Sequence, residues 1–335
     1  MARLDATYIL PLRVDGESSS EWLDDLSEYL GWLADRLEVV IVDGSPAGAF
    51  ARHHARWVAR VRHVPPDADQ LTLNGKVGGV VTGVRLANSE RLVIADEDVR
   101  YDDHSLRRLV GTLAEAEVVR PQNHFVPAPW HARWDTSRML INRMTGGDWP
   151  GTLGVRRSLV LAAGGYDGAV LFENLELVRT IKALGGRELV AADLYVSRRP
   201  PHARHFWSQR VRQAYDELAR PLRLTAWLAL LPGGILMAAG RRWTGVVAVF
   251  LAATALAEAG RRRDGGRAVF PASASLMTPL WLLERSLTAW LAVGVRLVLG
   301  GVPYRGGILS RAATPSRVLD IRHAAVRAEA RWTGA

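Results

Sequence analysis

The sequence predicts an α/β fold built on a mostly parallel sheet, with apolar helices after it. Short apolar runs alternate with helical patterns as far as Pro221. One run, Leu92-Val93-Ile94-Ala95, stops abruptly at three acids, Asp96-Glu97-Asp98, as a buried strand does where it reaches the edge of a sheet. After Pro221 the composition turns strongly apolar, in stretches bracketed by arginines. Strands alternating with helices make a sheet covered on both faces, and such sheets bind ligands beyond the carboxyl ends of their strands.

Strands are expected at 8–12, 38–42, 91–95 and 117–120, and helices near 20–36, 76–87 and 104–116. Asp43 and the pair Asp96/Asp98 each follow a strand directly, so they can share one crevice. The expected division is an α/β domain over 1–220, an apolar helical region over 221–311 and a short basic tail with a surface helix over 312–335.

A chain of 335 residues is long enough for a full core and more than one structural unit. Its net charge of +9 is almost wholly arginine, since Lys76 and Lys182 are its two lysines. With no cysteine, a disulfide framework, a thiolate zinc site and a cysteine nucleophile are excluded. No apolar stretch of signal-peptide length follows a basic start, so the first domain is expected in the cytoplasm.

The apolar half points to a membrane. Residues 224–239, interrupted by Pro232-Gly233-Gly234, and residues 243–257 fall short of the roughly 20 that a spanning helix needs. They read as short tilted spans, a re-entrant hairpin or helices lying in the interface. Residues 276–301 contain Glu284, Arg285 and Arg296 and read as an interfacial amphipathic helix, although the run at 287–295 leaves a span open. Arginine clusters at the ends of the runs, with Trp227, Trp243, Trp281 and Trp290, resemble interface anchors. The soluble alternative is a buried helical hairpin.

Several short motifs can carry chemistry. Asp96 and Asp98 put hard oxygen donors near one point, where Mg2+ or Mn2+ would bridge two phosphates of a nucleotide; the alternative is a solvated acidic turn. Asp43, heading Asp43-Gly44-Ser45, is either a contact for a base or ribose or a turn residue. Asn74-Gly75-Lys76-Val77-Gly78-Gly79 opens a helix, where free amides and the helix dipole favour an anion, although the spacing is not that of a Walker A loop. Gly164-Gly165-Tyr166-Asp167 makes a turn before a helix that carries Glu173 and Glu176 on one face. Those glutamates either act as a general base or complement the helix dipole. Gln209, Arg210 and Arg212 lie on a basic helix, in a stretch from Arg198 to Arg223 with seven arginines. Arg212 either clamps a diphosphate bidentately or faces anionic lipid, and both roles are compatible.

Together these motifs resemble family 2 glycosyltransferases with a GT-A fold, over roughly residues 6–221. The order carries the resemblance: an LPLR strand, VDGS, a glycine-flanked lysine, the DED strand end, GGYD, the ENLEL helix and a QxxR element. The resemblance implies that Asp43 contacts the nucleotide base, that Asp96 and Asp98 are the DxD pair with Asp98 the direct metal ligand, and that Lys76, Gln209 and Arg212 serve the donor. Two positions depart from the family. Asn174 stands where the catalytic Asp is usual, so Glu173 is the best carboxylate for a base and Glu176 the reserve. Gln213 replaces the tryptophan of the Q/RxxRW element, which speaks against a processive, polymer-threading enzyme. The C-terminal half, with its motif at 302–307, looks like the ceramide-glucosyltransferase-like and carotenoid-glycosyltransferase-like branches.

The expected activity is inverting transfer of a sugar from a nucleotide-diphosphate sugar to a hydroxyl of a lipid or lipid-linked acceptor, at an anionic membrane surface and with Mg2+ or Mn2+. The alternative is a non-catalytic nucleotide-sugar-binding or scaffold protein of the same fold, favoured by Asn174 and Gln213. Nucleic acid is not an expected partner, because the arginines cluster beside apolar runs without interleaved aromatics.

Overall fold

A computed structural model describes residues 3–16, 19–304 and 306–332. Arg305, within the motif at 302–307, and the last residues of the basic tail lie outside the described residues. The chain runs β1 (Thr7–Leu12), α1 (Ser20–Ala34), β2 (Glu38–Asp43), α2 (Ala47–Trp57), β3 (Arg62–Val64), α3 (Gly75–Leu86) and β4 (Arg91–Ala95). It continues with β5 (Val99–Arg100), α4 (Asp103–Thr112), β6 (Val118–Phe125), α5 (Trp130–Met144), β7 (Thr152–Arg156), α6 (Arg157–Ala162), α7 (Glu173–Ala183) and β8 (Glu188–Arg198). Then come α8 (Ala203–Ser208), α9 (Arg210–Tyr215), α10 (Pro221–Ala239), α11 (Trp243–Arg262), α12 (Ala272–Leu276) and α13 (Thr278–Leu299). A hairpin of β9 (Val302–Tyr304) and β10 (Gly307–Leu309) precedes α14 (Ser316–Arg322) and α15 (Ala324–Trp332).

Eight strands form one sheet in the order β3-β2-β1-β4-β7-β6-β8-β5. Its first four strands are parallel, and β7 runs antiparallel to both β4 and β6. β1 is buried along its whole length, which is why it reads as a continuous apolar run rather than an alternating one. The register pairs Leu12 with Asp43 and Ile9 with Ile94, so the strand ends that carry Asp43 and Asp96 emerge on the same edge of the sheet.

Glycines let α3 lie close on this sheet. A Cβ at Gly83 would fall 2.5 Å from Ile9 Cγ2, and one at Gly79 would fall 3.1 Å from Pro11 Cβ. Any larger side chain would lift the helix, and with it Lys76 in the first turn.

The chain divides into two compact units, cut at different places from the division at 220 and 311. The first comprises Met1–Pro121, Pro150–Leu194 and Thr314–Ala335; the second comprises Gln122–Trp149 and Tyr195–Ala313. The second has its own core of Leu140, Ile141, Ala257, Phe270, Ala274, Trp281 and Leu282. Trp281 is 1% exposed, so it packs the interior and is not the interface anchor expected of it; the partly buried Trp227 meets its ring edge-on at 5.4 Å. Trp243 and Trp290 do remain exposed.

The expected break at Pro232-Gly233-Gly234 does not occur, and α10 is continuous with Pro232 inside it. Proline has no N–H to give to the carbonyl four residues back. That carbonyl, of Leu228, accepts instead from Trp290 Nε1 at 3.1 Å. With the break healed, α10 has 19 residues, about 28 Å at 1.5 Å per residue. It and the stretch Trp243–Ala268 are both long and apolar enough to cross a membrane. α13 buries a mixed face, Trp281, Leu282, Ala289 and Ala292 beside polar residues, and leaves apolar side chains outside. It buries Arg285, Ser286 and Thr288 while Leu280, Leu283, Leu287 and Leu291 stay about half exposed.

Candidate active site

The first unit brings three separated motifs to one point. Lys76 Nζ lies 2.5 Å from Asp96 Oδ1 and 2.8 Å from Glu173 Oε1. The three side chains keep between 14% and 20% of their surface exposed, which is sheltered but open to a ligand. Burial alone would lower the pKa of the Lys76 ammonium. The Asp96 and Glu173 carboxylates outweigh burial and hold it above the ordinary lysine range.

Loop stitching explains why these residues meet. The Asn74 amide N–H donates to Gly168 O at 2.9 Å, and the Asn74 side-chain Nδ2 donates to Val170 O at 3.1 Å. Thr72 Oγ1 in turn donates to Asn74 O, and a Cβ on Gly168 would collide with the Thr72 side chain at 2.5 Å. The loop before α3 and the loop before α7 are thereby joined, and Lys76 and Glu173 stand in the first turns of the helices that follow them. Gly164 and Gly165, both at positive φ, turn the chain after α6, a conformation that other residues rarely adopt.

Asp96 and Asp98 flank a tight turn at the end of β4, where the Val99 N–H donates to Asp96 O at 3.1 Å. Both are half-buried and Glu97 between them is exposed. Asn174 is engaged elsewhere, its Nδ2 donating to Pro150 O at 2.9 Å. Glu176 is fully buried, and its Oε2 accepts from the Thr314 amide at 2.6 Å. Tyr166, in the Gly164-Gly165-Tyr166-Asp167 turn, stands beside this cluster. Burial, and next the Glu173 charge, push its phenol above the ordinary range, so it stays protonated.

Asp43 reaches the same sheet edge, but its carboxylate is turned into the core. Oδ1 accepts from the Ser45 amide at 2.8 Å, the turn expected of an Asp-Gly-Ser sequence. Oδ2 takes His53 Nδ1 at 2.7 Å and His63 Nε2 at 3.2 Å. Burial would raise the Asp43 pKa, but the bonds from His63, Ser45 and His53 bring it down to about 2. A side chain this enclosed shapes the turn and does not present a free carboxylate to a base.

Gln209 and Arg212 belong to the second unit. Arg212 Nη1 donates to Gln209 Oε1 at 3.3 Å, and its guanidinium lies 5.0 Å above the Tyr304 ring. Arg210, between them, is buried and held by Asp135 at 2.7 Å and Glu284 at 2.6 Å. Gln213, in the tryptophan position, accepts from Arg210 at 2.9 Å.

For a metal, the donor chemistry is that of Asp96 and Asp98. Within this trio one ammonium, Lys76, stands against two carboxylates, Asp96 and Glu173. Among the described residues no group of three or more His, Asp or Glu is gathered to hold an ion unaided. Mg2+ and Mn2+ commonly take one or two carboxylates and complete their shell with water and phosphate oxygens, so two aspartates suffice.

No protein-family model matches the chain, and no curated protein does. Among solved structures it is similar to the mannosyltransferase PcManGT from Pyrobaculum calidifontis, in complex with GDP-Man and Mn2+. That likeness has 18% identity and a TM-score of 0.48, over 98% of this chain and 86% of the other. It is also similar to TarS 1–349 from S. aureus in complex with UDP-GlcNAc, at 14% identity and a TM-score of 0.41, over 61% of each chain. Likenesses this loose say nothing about substrate, and the functional reading rests on the residues themselves.

Proposed function

We propose that this chain is a membrane-associated glycosyltransferase of the GT-A type, moving a sugar with inversion from a nucleotide-diphosphate sugar to a hydroxyl of a lipid or lipid-linked acceptor. The observation that carries this reading is Lys76, which joins the strand-end acid Asp96 to the helix-start acid Glu173. A cation between two carboxylates at the carboxyl edge of a parallel sheet is suited to a diphosphate on one side and a reacting hydroxyl on the other.

Glu173 is the base. Its Oε1 is engaged by the Lys76 ammonium at 2.8 Å, so the reaction needs Lys76 to change partners. A diphosphate offers it a stronger anion, and its move frees Glu173. The acceptor hydroxyl then gives its proton to Glu173 as its oxygen bonds the anomeric carbon, and the bond from that carbon to the nucleoside diphosphate breaks. Mg2+ or Mn2+ would be held by Asp98 and Asp96, and when bound it supplies positive charge to the leaving diphosphate. Asp43 fixes the Gly44-Ser45 turn. The donor roles of Gln209 and Arg212 rest on motif order alone.

Membrane association is supported by α10, which buries no residue, and by the outward leucines of α13. An apolar surface of this extent on a monomer marks a contact with lipid or protein. Screening nucleotide sugars for Mn2+-dependent thermal stabilisation of the detergent-solubilised full chain tests the donor site. A stabilising nucleotide sugar names the donor, and none stabilising contradicts the reading.

A further inference from the structure

We propose that Glu176 and Arg179 are positioning residues: they clamp the chain at Thr314 and so hold α7 where Glu173 meets Lys76. The inference deepens the reading of Glu173 as the base and rests on it. The chain re-enters the first unit at Thr314, after the apolar helices. There α7 takes up both backbone groups of one residue. Glu176 Oε2 accepts the Thr314 N–H at 2.6 Å, and Arg179 Nη1 donates to Thr314 O at 2.8 Å. Farther on, Leu319 of α14 is 1% exposed, and Arg327 of α15 donates to Ala183 O at the end of α7. The last segment of the chain thus grips α7 at its first turn, its middle and its end.

The chemistry of Glu176 fits a clamp and not a base. Its surface is fully buried, so an acceptor hydroxyl has no approach. Its Oε1 makes no hydrogen bond among the described residues, which leaves the Thr314 amide as its polar anchor there. Hydrogen bonds from an amide to a carboxylate are among the strong ones. The bond lies one turn beyond Glu173, and residues on a helix are spaced by about 100°, so the grip sets the direction in which Glu173 projects. Displacing a reacting group by about 1 Å costs on the order of a hundredfold in rate.

The test compares Glu176→Ala and Glu176→Gln in the full-length protein, by amide hydrogen exchange and by turnover. Glutamine keeps a side-chain oxygen that can accept from Thr314; alanine does not. Glu176→Ala is expected to speed exchange at Thr314 and over 173–178 by more than about tenfold, leave α3 unchanged, and lower kcat by about 10- to 100-fold with donor Kd within about twofold. Glu176→Gln is expected to recover most of the protection and most of kcat. A Glu176→Gln variant as inactive as Glu176→Ala, with native exchange, would make Glu176 a chemical participant and overturn the clamp. Unchanged exchange in Glu176→Ala would overturn it too. Should the wild-type protein turn over no nucleotide sugar, the proposed activity falls while the exchange comparison still decides the clamp.

Discussion

Lys76 and Glu173 stand 97 residues apart in the chain and meet at 2.8 Å. Their contact, shared with Asp96, ties the start of α3 to the start of α7 across the end of β4. Removing the ammonium leaves two sheltered carboxylates facing each other without the lysine between them. Lys76→Met is therefore expected to lower stability and to weaken binding of a nucleoside diphosphate by about 10- to 100-fold, the scale of losing one preorganised charged partner. Calorimetric titration against thermal melting separates the two effects, and unchanged diphosphate affinity would detach Lys76 from the donor.

Asp98 is the proposed direct ligand of the metal. Asp98→Asn keeps the shape of the turn and removes a hard anionic ligand. The variant is expected to melt within a few degrees of wild type and to lose the Mn2+-dependent part of donor binding. A folded Asp98→Asn protein with the full Mn2+ effect would move the ion elsewhere.

Asp43 makes a prediction about acid. Its carboxyl sits near 2 in the folded chain against an ordinary 3.8, so its folded pKa is depressed. The stabilisation is complete above about 4 and is lost as pH falls through the folded value near 2. A shift of this size corresponds to on the order of 2 kcal/mol. The stability gap between wild type and Asp43→Asn is thus expected to narrow by about that much between pH 4 and pH 2. A gap independent of pH over that window would mean that His53 and His63 do not hold the carboxylate ionised.

Membrane binding is tested on the full chain, because a cut at 220 also removes the part of the first unit that begins at Thr314. Leu283→Glu and Leu287→Glu fall on the exposed face of α13 and are expected to change folding stability by less than about 0.5 kcal/mol. They are expected to weaken partition into anionic vesicles severalfold. Wild-type protein that stays monodisperse without detergent and ignores such vesicles would contradict the membrane reading.

Much of the fold was legible because β1, β2 and β4 are buried along almost their whole length and β2 and β4 end abruptly at acids. Lys76, Asp96 and Glu173 each stood out singly, by a rare lysine, a strand end and a helix start. Their meeting was not legible, since it depends on Asn74 bonding Gly168 and Val170, nearly a hundred residues on. The inward turn of Asp43 depends on His53 and His63, two histidines that look unremarked on α2 and β3. The continuity of α10 depends on a tryptophan side chain 62 residues from the orphaned Leu228 carbonyl, and no local rule at Pro232 announces it. Glu176 read as a reserve base because a helix face shows spacing and not burial; its partner Thr314 lies 138 residues away.

The central claim is that Glu173 takes the proton of an acceptor hydroxyl at the Lys76–Asp96 centre. It is tested most directly by turnover and donor affinity in wild type and Glu173→Gln, with Mn2+ and the nucleotide sugar that stabilises the protein. The account predicts that kcat falls by about 10²- to 10⁴-fold in Glu173→Gln while donor Kd stays within about twofold, because the base acts in the chemical step. Wild-type turnover in Glu173→Gln, with the protein folded and the donor bound, would contradict it.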